Sequence, residues 1–320
     1  MELVLDFERP LVELGRRIET LRQTERASGL DLGASIRELE RQSEALQRQI
    51  LANLTPWQRT LLSRHPARPY TLDYAAGWLT ESNELHGDRA GQDDQAIVGV
   101  MGSFRGRSIM LIGHQKGRNT NENVLRNFGM ARPDGYRKAL RLMRLAERFG
   151  LPIVTLIDTP GAYPGIDAEA RGQAEAIARN IMEMATLKVP VVACVIGEGG
   201  SGGALALGVG NRVLMLENAT YSVISPEGCA AILWHDRAEA PRAAEALRLT
   251  AADCLRFGVA DRLVEEPAGG AHRAPEAAIV SLADAVEAEL NALSALSPSE
   301  LTDDRYARFR KLGAIDDRGE

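Results

Sequence analysis

The fold of this chain is decided by the stretch Val191-Val192-Ala193-Cys194-Val195-Ile196-Gly197-Glu198-Gly199-Gly200-Ser201-Gly202-Gly203, in which an apolar run passes directly into a turn with five glycines. We call residues 197–203 the glycine turn. The run before it predicts a buried strand, and the apolar residues 204–209 predict a short helix. Backbone amides between a strand and a helix point outward near the positive end of the helix, where they stabilise anionic oxygen. The sequence therefore places the chemistry of this chain at the backbone of the glycine turn.

The surrounding sequence predicts an α/β architecture. A second strand, at residues 152–157, also ends in a glycine-containing turn, Asp158-Thr159-Pro160-Gly161-Ala162-Tyr163-Pro164-Gly165. Further apolar runs predict strands at 96–101, 108–114, 189–196, 212–216 and 220–224. Helical spacing of apolar residues predicts helices at 135–149, 168–187 and 279–293. This alternation favours a largely parallel sheet, covered by helices, with right-handed crossovers.

The first part of the chain has a different pattern. Apolar residues recur at three- and four-residue steps from Leu11 to Leu21 and again from Ile36 to Ile50, with a break containing two glycines between them. The pattern predicts an antiparallel helical hairpin, whose second helix is opened by a capping box of Ser35 and Glu38. We expect three parts: this hairpin at 1–55, the α/β domain at 56–296, and a polar, loosely held tail at 297–320.

Composition limits the functional classes. At 320 residues, 45% hydrophobic and 26% charged, the chain is an ordinary soluble globular protein. Its apolar runs are too short to cross a bilayer, and its acidic start is unlike a signal peptide, so we expect a cytoplasmic protein. The net charge of −6 gives no general attraction to nucleic acid or to an anionic membrane. The three cysteines lie far apart, which argues against a disulfide framework and against a metal site within this chain.

Three interpretations compete for the glycine turn. Residues 197–202 fit the dinucleotide pattern G-x-G-x-x-G, and Glu217 follows at about the 20-residue spacing of a ribose-binding acid. Against this interpretation, Gly208 and Gly210 cut short the helix that the pattern requires.

The second interpretation is a serine hydrolase. Residues 199–203 fit the nucleophile pattern G-x-S-x-G, with Ser201 as nucleophile, Asp253 or Asp261 as the acid, and His272 as the base. However, His272 lies in a glycine-rich segment that predicts an exposed loop. In the third interpretation, two backbone amides of the turn form an oxyanion hole, which requires no catalytic side chain.

Several long motifs then occur in one order and register, and together they closely resemble the α subunits of bacterial acetyl-CoA carboxylase carboxyltransferases. They are Tyr136-Arg137-Lys138-Ala139-Leu140-Arg141-Leu142-Met143, residues 157–165, residues 196–206, and Tyr221-Ser222-Val223-Ile224-Ser225-Pro226-Glu227-Gly228-Cys229-Ala230. Gly113-His114-Gln115-Lys116-Gly117-Arg118 and Arg68-Pro69-Tyr70-Thr71-Leu72-Asp73-Tyr74 match as well. The chain diverges from the family mainly in the hairpin, at residues 115–123 and in the tail.

The resemblance implies a crotonase-type spiral of ββα units and an α2β2 heterotetramer with zinc-bearing β subunits. It implies transfer of CO2 from carboxybiotin, on the biotin carboxyl carrier protein, to acetyl-CoA, which gives malonyl-CoA for fatty acid synthesis. ATP would be used only by the partner biotin carboxylase, and zinc would lie only on the β subunit. Carried over to this sequence, the amides of Gly202 and Gly203 would form the oxyanion hole for the ureido oxygen of biotin, and the substrate cleft would be lined by Gly161, Ala162, Gly199 and Gly200.

The remaining motif residues have simpler interpretations. Ser225 and Pro226 are typical of a helix start, as cap and first residue. Lys116 and Arg118 could meet a phosphate of coenzyme A, but two basic residues in a polar loop are more often solvated. A solvated helix face is likewise expected for Arg137, Lys138, Arg141 and Arg144.

Overall fold

The computed structural model of the chain describes residues 3–313. Its longer helices are α1 Arg9–Ser28, α2 Gly33–Ala52, α3 Pro56–Ser63, α4 Thr71–Trp78, α5 Thr120–Leu125, α6 Pro133–Arg148, α7 Ile166–Ala170, α8 Gln173–Thr186, α9 Ser201–Leu205, α10 Pro226–Trp234, α11 Ala240–Leu247, α12 Ala251–Arg256, α13 Pro275–Leu293 and α14 Pro298–Arg310. Short 3₁₀ turns lie at Asp6–Glu8, Asn127–Gly129 and Arg237–Glu239. Among residues 3–313, no helix combines the length and apolar character needed to cross a bilayer.

One sheet organises the α/β region. Its strands are β1 Leu79–Glu84, β2 Ile97–Phe104, β3 Arg107–His114, β4 Ile153–Thr159, β5 Val191–Gly200, β6 Arg212–Leu216, β7 Thr220–Ser222 and β8 Arg262–Val264. The order is β1-β2-β3-β4-β5-β6-β8, and β7 pairs with the far end of β5. Pairing is antiparallel from β1 to β3 and parallel from β3 onward, so the parallel sheet that the sequence predicts is correct only beyond its first strands.

Strand β5 changes neighbours along its length. Its first half pairs with β6, from Val192 opposite Arg212 onward. Its last three residues pair instead with β7, with Gly199 opposite Tyr221. On its other side the register to β4 shifts between Ile157 and Thr159. The first four residues of the glycine turn are therefore extended strand, and the chain bends into α9 only at Ser201.

The N-terminal helical hairpin is present as α1 and α2, which pack against each other. The capping box predicted at Ser35 is wrong, because α2 already begins at Gly33 and has no side-chain cap. The helix predicted at 168–187 is two helices, since Gly172 between them has a left-handed φ of 83°. By contrast, Ser225 does cap α10, accepting a hydrogen bond from Gly228 N, with Pro226 as the first residue.

The tail was expected to be loosely held, and that expectation is wrong for residues 298–310. They form α14, which packs against α8. The guanidinium of Arg305 is fully buried and donates to the carbonyls of Met184, Leu187 and Val189 and to Asn211 Oδ1. Residues 314–320 of the predicted tail lie outside the described residues. The division of the chain at 55 and 296 stays a prediction.

Candidate active site at the end of strand β5

The glycine turn ends in the first turn of α9. The first amides of any helix have no intrahelical acceptor, because the chain has not yet completed a turn. Among residues 3–313, the amides of Gly202 and Gly203 also have no acceptor elsewhere. Two neighbouring donors thus stand free at the positive end of a short helix, an arrangement that suits a developing oxyanion.

Close packing accounts for four of the five glycines in the turn. A Cβ would lie 2.4 Å from Asp158 Oδ1 at Gly197, 2.7 Å from the Tyr221 ring at Gly199, 2.2 Å from Pro160 O at Gly200, and 2.6 Å from Ala162 N at Gly203. The close approach at these four positions leaves no room for a Cβ. At Gly202 the nearest atom would be Ile177 Cγ2 at 3.7 Å, an ordinary contact. Packing therefore leaves Gly202 as the glycine whose presence still needs a reason.

The backbone dihedral angles of the turn also indicate that its glycines are needed for close packing. None of the five turn glycines has a positive φ, whereas Ser201 between them has a φ of 52°. The turn thus places its left-handed residue at an exposed serine, where the conformation is unfavourable for any residue with a Cβ. The glycines are required by close approach rather than by dihedral freedom.

The residues predicted to line the cleft come together at the ends of β4 and β5. Gly203 packs against the peptide between Gly161 and Ala162, and Gly200 packs against Pro160 O. Gly161 has a φ of 152°, which favours glycine at this position. Gly161, Ala162 and Gly200 are half-buried, whereas Gly199 and Gly203 are buried. Their role in substrate binding stays a prediction.

A largely apolar cavity opens beside the turn. It has a volume of about 350 Å³ and contacts Ser201 and Gly202 at one end. Its walls include Leu205 of α9, Tyr221 of β7, Val223 just after that strand, and Phe309 of α14. On the other side of the turn, next to Gly199 and Gly200, the free space is only about 20 Å³. The open side of the turn is therefore the side of Gly202.

The serine hydrolase interpretation fails on the positions of its partners. Ser201 Oγ has no hydrogen bond to any described residue. His272 was expected in an exposed loop, but it is buried against Glu8. Asp253 bonds to Thr250 at the start of α12, and Asp261 to Arg308. The dinucleotide interpretation fails as well, because α9 has five residues and Glu217 accepts from the amide of Glu266.

Behind the turn lies a charge network that the sequence analysis did not find. Lys116 Nζ lies 2.7 Å from Asp158 Oδ1 and 3.0 Å from Glu198 Oε2, and Arg64 Nε lies 2.6 Å from Glu198 Oε1. Arg64 also pairs with Glu227 of α10. Burial raises the pKa of Glu198, but the charges of Lys116 and Arg64 outweigh it and lower that pKa. Burial lowers the pKa of Lys116, yet Asp158 and Glu198 together hold it above its usual range.

Lys116, Arg118 and Lys138, which were expected to be solvated, are in fact engaged, whereas Arg144 is exposed as expected. Lys116 belongs to the network behind the turn. Arg118 pairs with Asp73, donates to Arg68 O at 2.8 Å and lies 4.0 Å over the Tyr70 ring. Lys138 is buried, with its ammonium 2.5 Å from Asp93 Oδ1. Because these cations already have partners, they are poorly suited to bind a coenzyme phosphate.

His114 is buried directly below the turn. Burial, followed by the charge of Lys116, lowers its pKa to about 3, so the ring is neutral. The ring lies near the carbonyls of Leu156 and Gly203, although neither nitrogen reaches a described partner with good hydrogen-bond geometry. A neutral, buried imidazole in this place contributes to packing under Gly203.

A second cluster of polar side chains holds the N-terminal segment against the loop before α13. Glu8 Oε1 lies 2.9 Å from His272 Nε2 and 3.0 Å from Arg273 Nη2, and His65 Nε2 bonds to Leu3 O at 3.0 Å. The three donors Glu8, His65 and His272 lie close enough together to suggest a metal site. However, Arg273 already neutralises Glu8, and both His65 nitrogens have backbone partners. We interpret the cluster as an anchor.

Comparison with known proteins agrees with this geometry. A family model described as acetyl co-enzyme A carboxylase carboxyltransferase-like matches residues 4–313. The acetyl-coenzyme A carboxylase carboxyl transferase subunit alpha of Thermus thermophilus is 56% identical over 311 residues, which are 97% of this chain and 98% of that protein. The protein of the same name from Bordetella pertussis is 57% identical over 309 residues, 97% of this chain and 96% of that protein.

Solved structures show the fold. The transcarboxylase 12S core superposes with a TM-score of 0.58 at 19% identity, over 71% of this chain and 42% of that one. The β subunit of geranyl-CoA carboxylase from P. aeruginosa gives 0.55 at 19% identity, over 73% and 43%. The chain therefore has the α/β crotonase-type fold that these carboxyltransferases share, as the sequence predicts.

Proposed function

The chain belongs to the family of α subunits of acetyl-CoA carboxylase carboxyltransferases, and we propose that its part in the reaction is a biotin-side oxyanion hole formed by the amides of Gly202 and Gly203. Membership confirms the resemblance that the motifs indicated, and it makes the chain a carboxyltransferase subunit that uses acetyl-CoA and biotin and works with a β subunit. The observation that carries the proposal is that the amides of Gly202 and Gly203 have no acceptor among the described residues, and that Gly202 is the one turn glycine that packing does not require.

The surroundings of these amides fit a biotin ring. The ring is compact and uncharged, with one ureido oxygen as its strongest acceptor. The cavity beside Gly202 is largely apolar, and Gly202, whose amide has no acceptor among the described residues, is part of its lining. A ligand that is apolar along its body and accepts hydrogen bonds at one edge matches both features.

Carboxybiotin would supply the carboxyl group and, on its release, carry negative charge on the ureido group. Gly202 and Gly203 donate hydrogen bonds to the ureido oxygen, and this stabilisation grows as the charge develops. Because the donors are backbone groups held by β5 and α9, they need little rearrangement during the reaction. One such donor is typically worth on the order of 10²–10³ in rate. The absence of a paired acid and base around Ser201 then fits the chemistry.

The finer partner assignments follow from what this chain supplies. Lys116 and Arg118 are engaged in ion pairs, so we assign the binding of coenzyme A phosphates to the β subunit. Zinc is likewise assigned to the β subunit, in an α2β2 complex. Val223 is 75% exposed at the rim of the cavity, which suits a surface that a partner covers. The biotin carboxyl carrier protein would deliver carboxybiotin, and ATP would be consumed only by biotin carboxylase. A cytoplasmic location stays a prediction.

The test removes one amide without removing the turn. Proline lacks the N–H and is tolerated in the first turn of a helix. Because proline disfavours the conformation of the preceding residue, Gly202→Pro is combined with Ser201→Gly, and the matched control is Ser201→Gly with Gly202→Ala. Purified α and β subunits are mixed with malonyl-CoA and free biotin, and acetyl-CoA formation is followed.

We expect the alanine control to stay active and the proline variant to lose about 10²–10³ in kcat with assembly intact. Equal activity of the two would contradict the proposal. Gly203→Val is a poorer test, because even a Cβ there would strike the backbone of Ala162. If this variant were inactive, either distortion of the glycine turn or loss of the oxyanion hole could be the cause.

A further inference from the structure

We propose that Lys116 is a positioning residue for carboxyl transfer, which holds Asp158 and Glu198 together and thereby fixes the glycine turn. The inference rests on the proposed role of the Gly202 and Gly203 amides. The side chain of Lys116 contacts the carboxylates rather than the cavity, so its effect is exerted through the backbone of β4 and β5.

The contacts of Lys116 join two neighbouring strands at their carboxyl ends. Asp158 lies on β4 and Glu198 on β5, and the ammonium bridges them at 2.7 Å and 3.0 Å. Asp158 Oδ1 also accepts a hydrogen bond from the amide of Glu198 at 3.0 Å. The bridge stands at the position where the β4–β5 register shifts and where β5 turns from β6 to β7. The pairing of β4 with β5 is interrupted between Ile157 and Thr159, so the side-chain bridge adds to the pairing with β7 in holding the backbone of β5 here.

Glu198 is held on both sides. Lys116 binds Oε2, and Arg64, at the end of α3, binds Oε1 at 2.6 Å. Arg64 in turn pairs with Glu227 on α10. Glu198 is therefore fixed between the loop after β3 and two helices, only three residues before the bend at Ser201.

The stem of Lys116 is itself confined. A Cβ on Gly129 would lie 2.9 Å from Lys116 Cγ, so only glycine leaves room for the stem in its present path. The side chain is largely buried, with an exposed fraction of 12%. Burying such charges gains little net stability, because the desolvation penalty offsets the attraction. A definite geometry is therefore the stronger reason for this arrangement.

Proton transfer is not the task of this lysine. Two carboxylates lie within 3.0 Å of the ammonium, and they keep it protonated. A permanently charged group that does not contact the cavity is suited to orientation, not to acid–base chemistry.

The experiment uses the assembled α and β subunits with malonyl-CoA and free biotin, in the direction that forms acetyl-CoA and carboxybiotin. Lys116→Met is compared with the double variant Lys116→Met, Glu198→Gln. The double variant removes one cation and one carboxylate, so the network keeps its original charge balance. Lys138→Met serves as the matched control, since Lys138 is also buried and ion-paired but contacts Asp93 and Asp94 in the loop between β1 and β2.

We expect kcat to fall by about 10²-fold in Lys116→Met, because small displacements of catalytic donors cost about that much. The KM for malonyl-CoA should not change. In the double variant the melting temperature should recover while kcat stays low. Lys138→Met should lower the melting temperature without lowering kcat per assembled enzyme.

Two results would overturn the inference: a normal kcat in Lys116→Met, or a double variant that regains kcat together with stability. The latter would show that only charge balance matters. The proline and alanine variants at Gly202 are assayed in parallel. If the proline variant is inactive while Lys116→Met has a normal kcat, the positioning role of Lys116 is contradicted and the proposed oxyanion hole is not. If the proline variant is active, the proposed oxyanion hole itself is wrong.

Discussion

At the scale of single residues, Ser201 carries the backbone strain of the glycine turn. Its φ of 52° is unfavourable for an L-residue, by roughly 1–2 kcal/mol. Strain of this kind persists only where the surrounding structure holds it, and it is often found at functional sites. Here β5 and α9 hold Ser201 on both sides, and the amides that follow it are the ones without acceptors. The strained residue and the proposed donors are thus neighbours in one bend.

His114 gives a residue-scale prediction for acid stability. Its folded pKa of about 3 lies below the value near 6.5 of an unfolded histidine. Below pH 6.5 the unfolded chain therefore binds a proton that the folded chain excludes, and stability falls as the pH falls, by about 1.4 kcal/mol per pH unit. The free energy of unfolding, measured in urea between pH 6.5 and 5, should fall less steeply in His114→Phe. Buried carboxylates whose pKa is lowered, such as Glu8 and Glu266, contribute only below about pH 4.5.

His65 contributes in the same direction, because burial lowers its pKa too. The phenylalanine variant should therefore keep part of the slope. An unchanged slope would mean that His114 takes up a proton in the folded state.

At the scale of elements, the sequence located most of the sheet. Strands β2 to β7 were each predicted within a few residues, because their apolar runs are distinct. Strand β1 was missed because its sequence, Leu79-Thr80-Glu81-Ser82-Asn83-Glu84, is polar and five of its six residues are exposed. Strand β8 was missed because it has three residues. Helix α14 was missed because its burial depends on charged side chains such as Arg305, which a hydrophobic pattern cannot reveal.

The same limit applies to the candidate site. The glycine turn was located because its composition is unusual over a short stretch. The network behind it was not, because Lys116 is 42 residues from Asp158 and 82 from Glu198. No local pattern links such partners; only the parallel arrangement of the strands brings them together.

Arg305 gives an element-scale prediction. Burial lowers its pKa to about 10, so the guanidinium stays charged at neutral pH and binds three backbone carbonyls. Arg305→Met would leave these carbonyls buried without a donor, at about 1–3 kcal/mol for each unsatisfied group. We expect the free energy of unfolding in urea to fall by at least about 3 kcal/mol.

The control is Arg310→Met, on the exposed face of the same helix, which should change stability by no more than about 0.5 kcal/mol. Similar losses in the two variants would show that α14 is not held by Arg305.

At the scale of the whole molecule, a few buried ion pairs add to the shared sheet and core in joining distant parts of the chain. Arg68 and Glu266 form a fully buried pair at 2.7 Å, and Arg68 also donates to Ile196 O, just before the glycine turn. Glu8 is fastened to His272 and Arg273. The N-terminal segment, the loop before α4 and the loop before α13 thus meet behind the site. The turn is supported from both ends of the sequence.

The Glu8 anchor gives a whole-molecule prediction. Although burial raises it, the hydrogen bond and charge of His272 and then Arg273 bring the pKa of Glu8 down to about 2. Since this pKa is depressed, the stabilisation is present above the unfolded value near 4.3 and is lost as the pH falls from there towards 2. At neutral pH, Glu8→Gln removes the charge directly. We expect trypsin to cut the hairpin faster in this variant than in the parent chain.

Glu13→Gln is the matched control, because Glu13 is exposed on α1, which begins directly after Glu8. If both variants resist trypsin as well as the parent does, the hairpin is held by its apolar contacts alone.

The Glu8 anchor also has a consequence for folding during translation. Its partner His272 lies 264 residues further along the chain. Glu8 is translated long before His272, so the helical hairpin leaves the ribosome before the residues that anchor it have been made. Throughout that interval the apolar stripe of α1 has no final surface to cover it, and it is exposed to premature association. A segment that is made early is thus secured only late in synthesis.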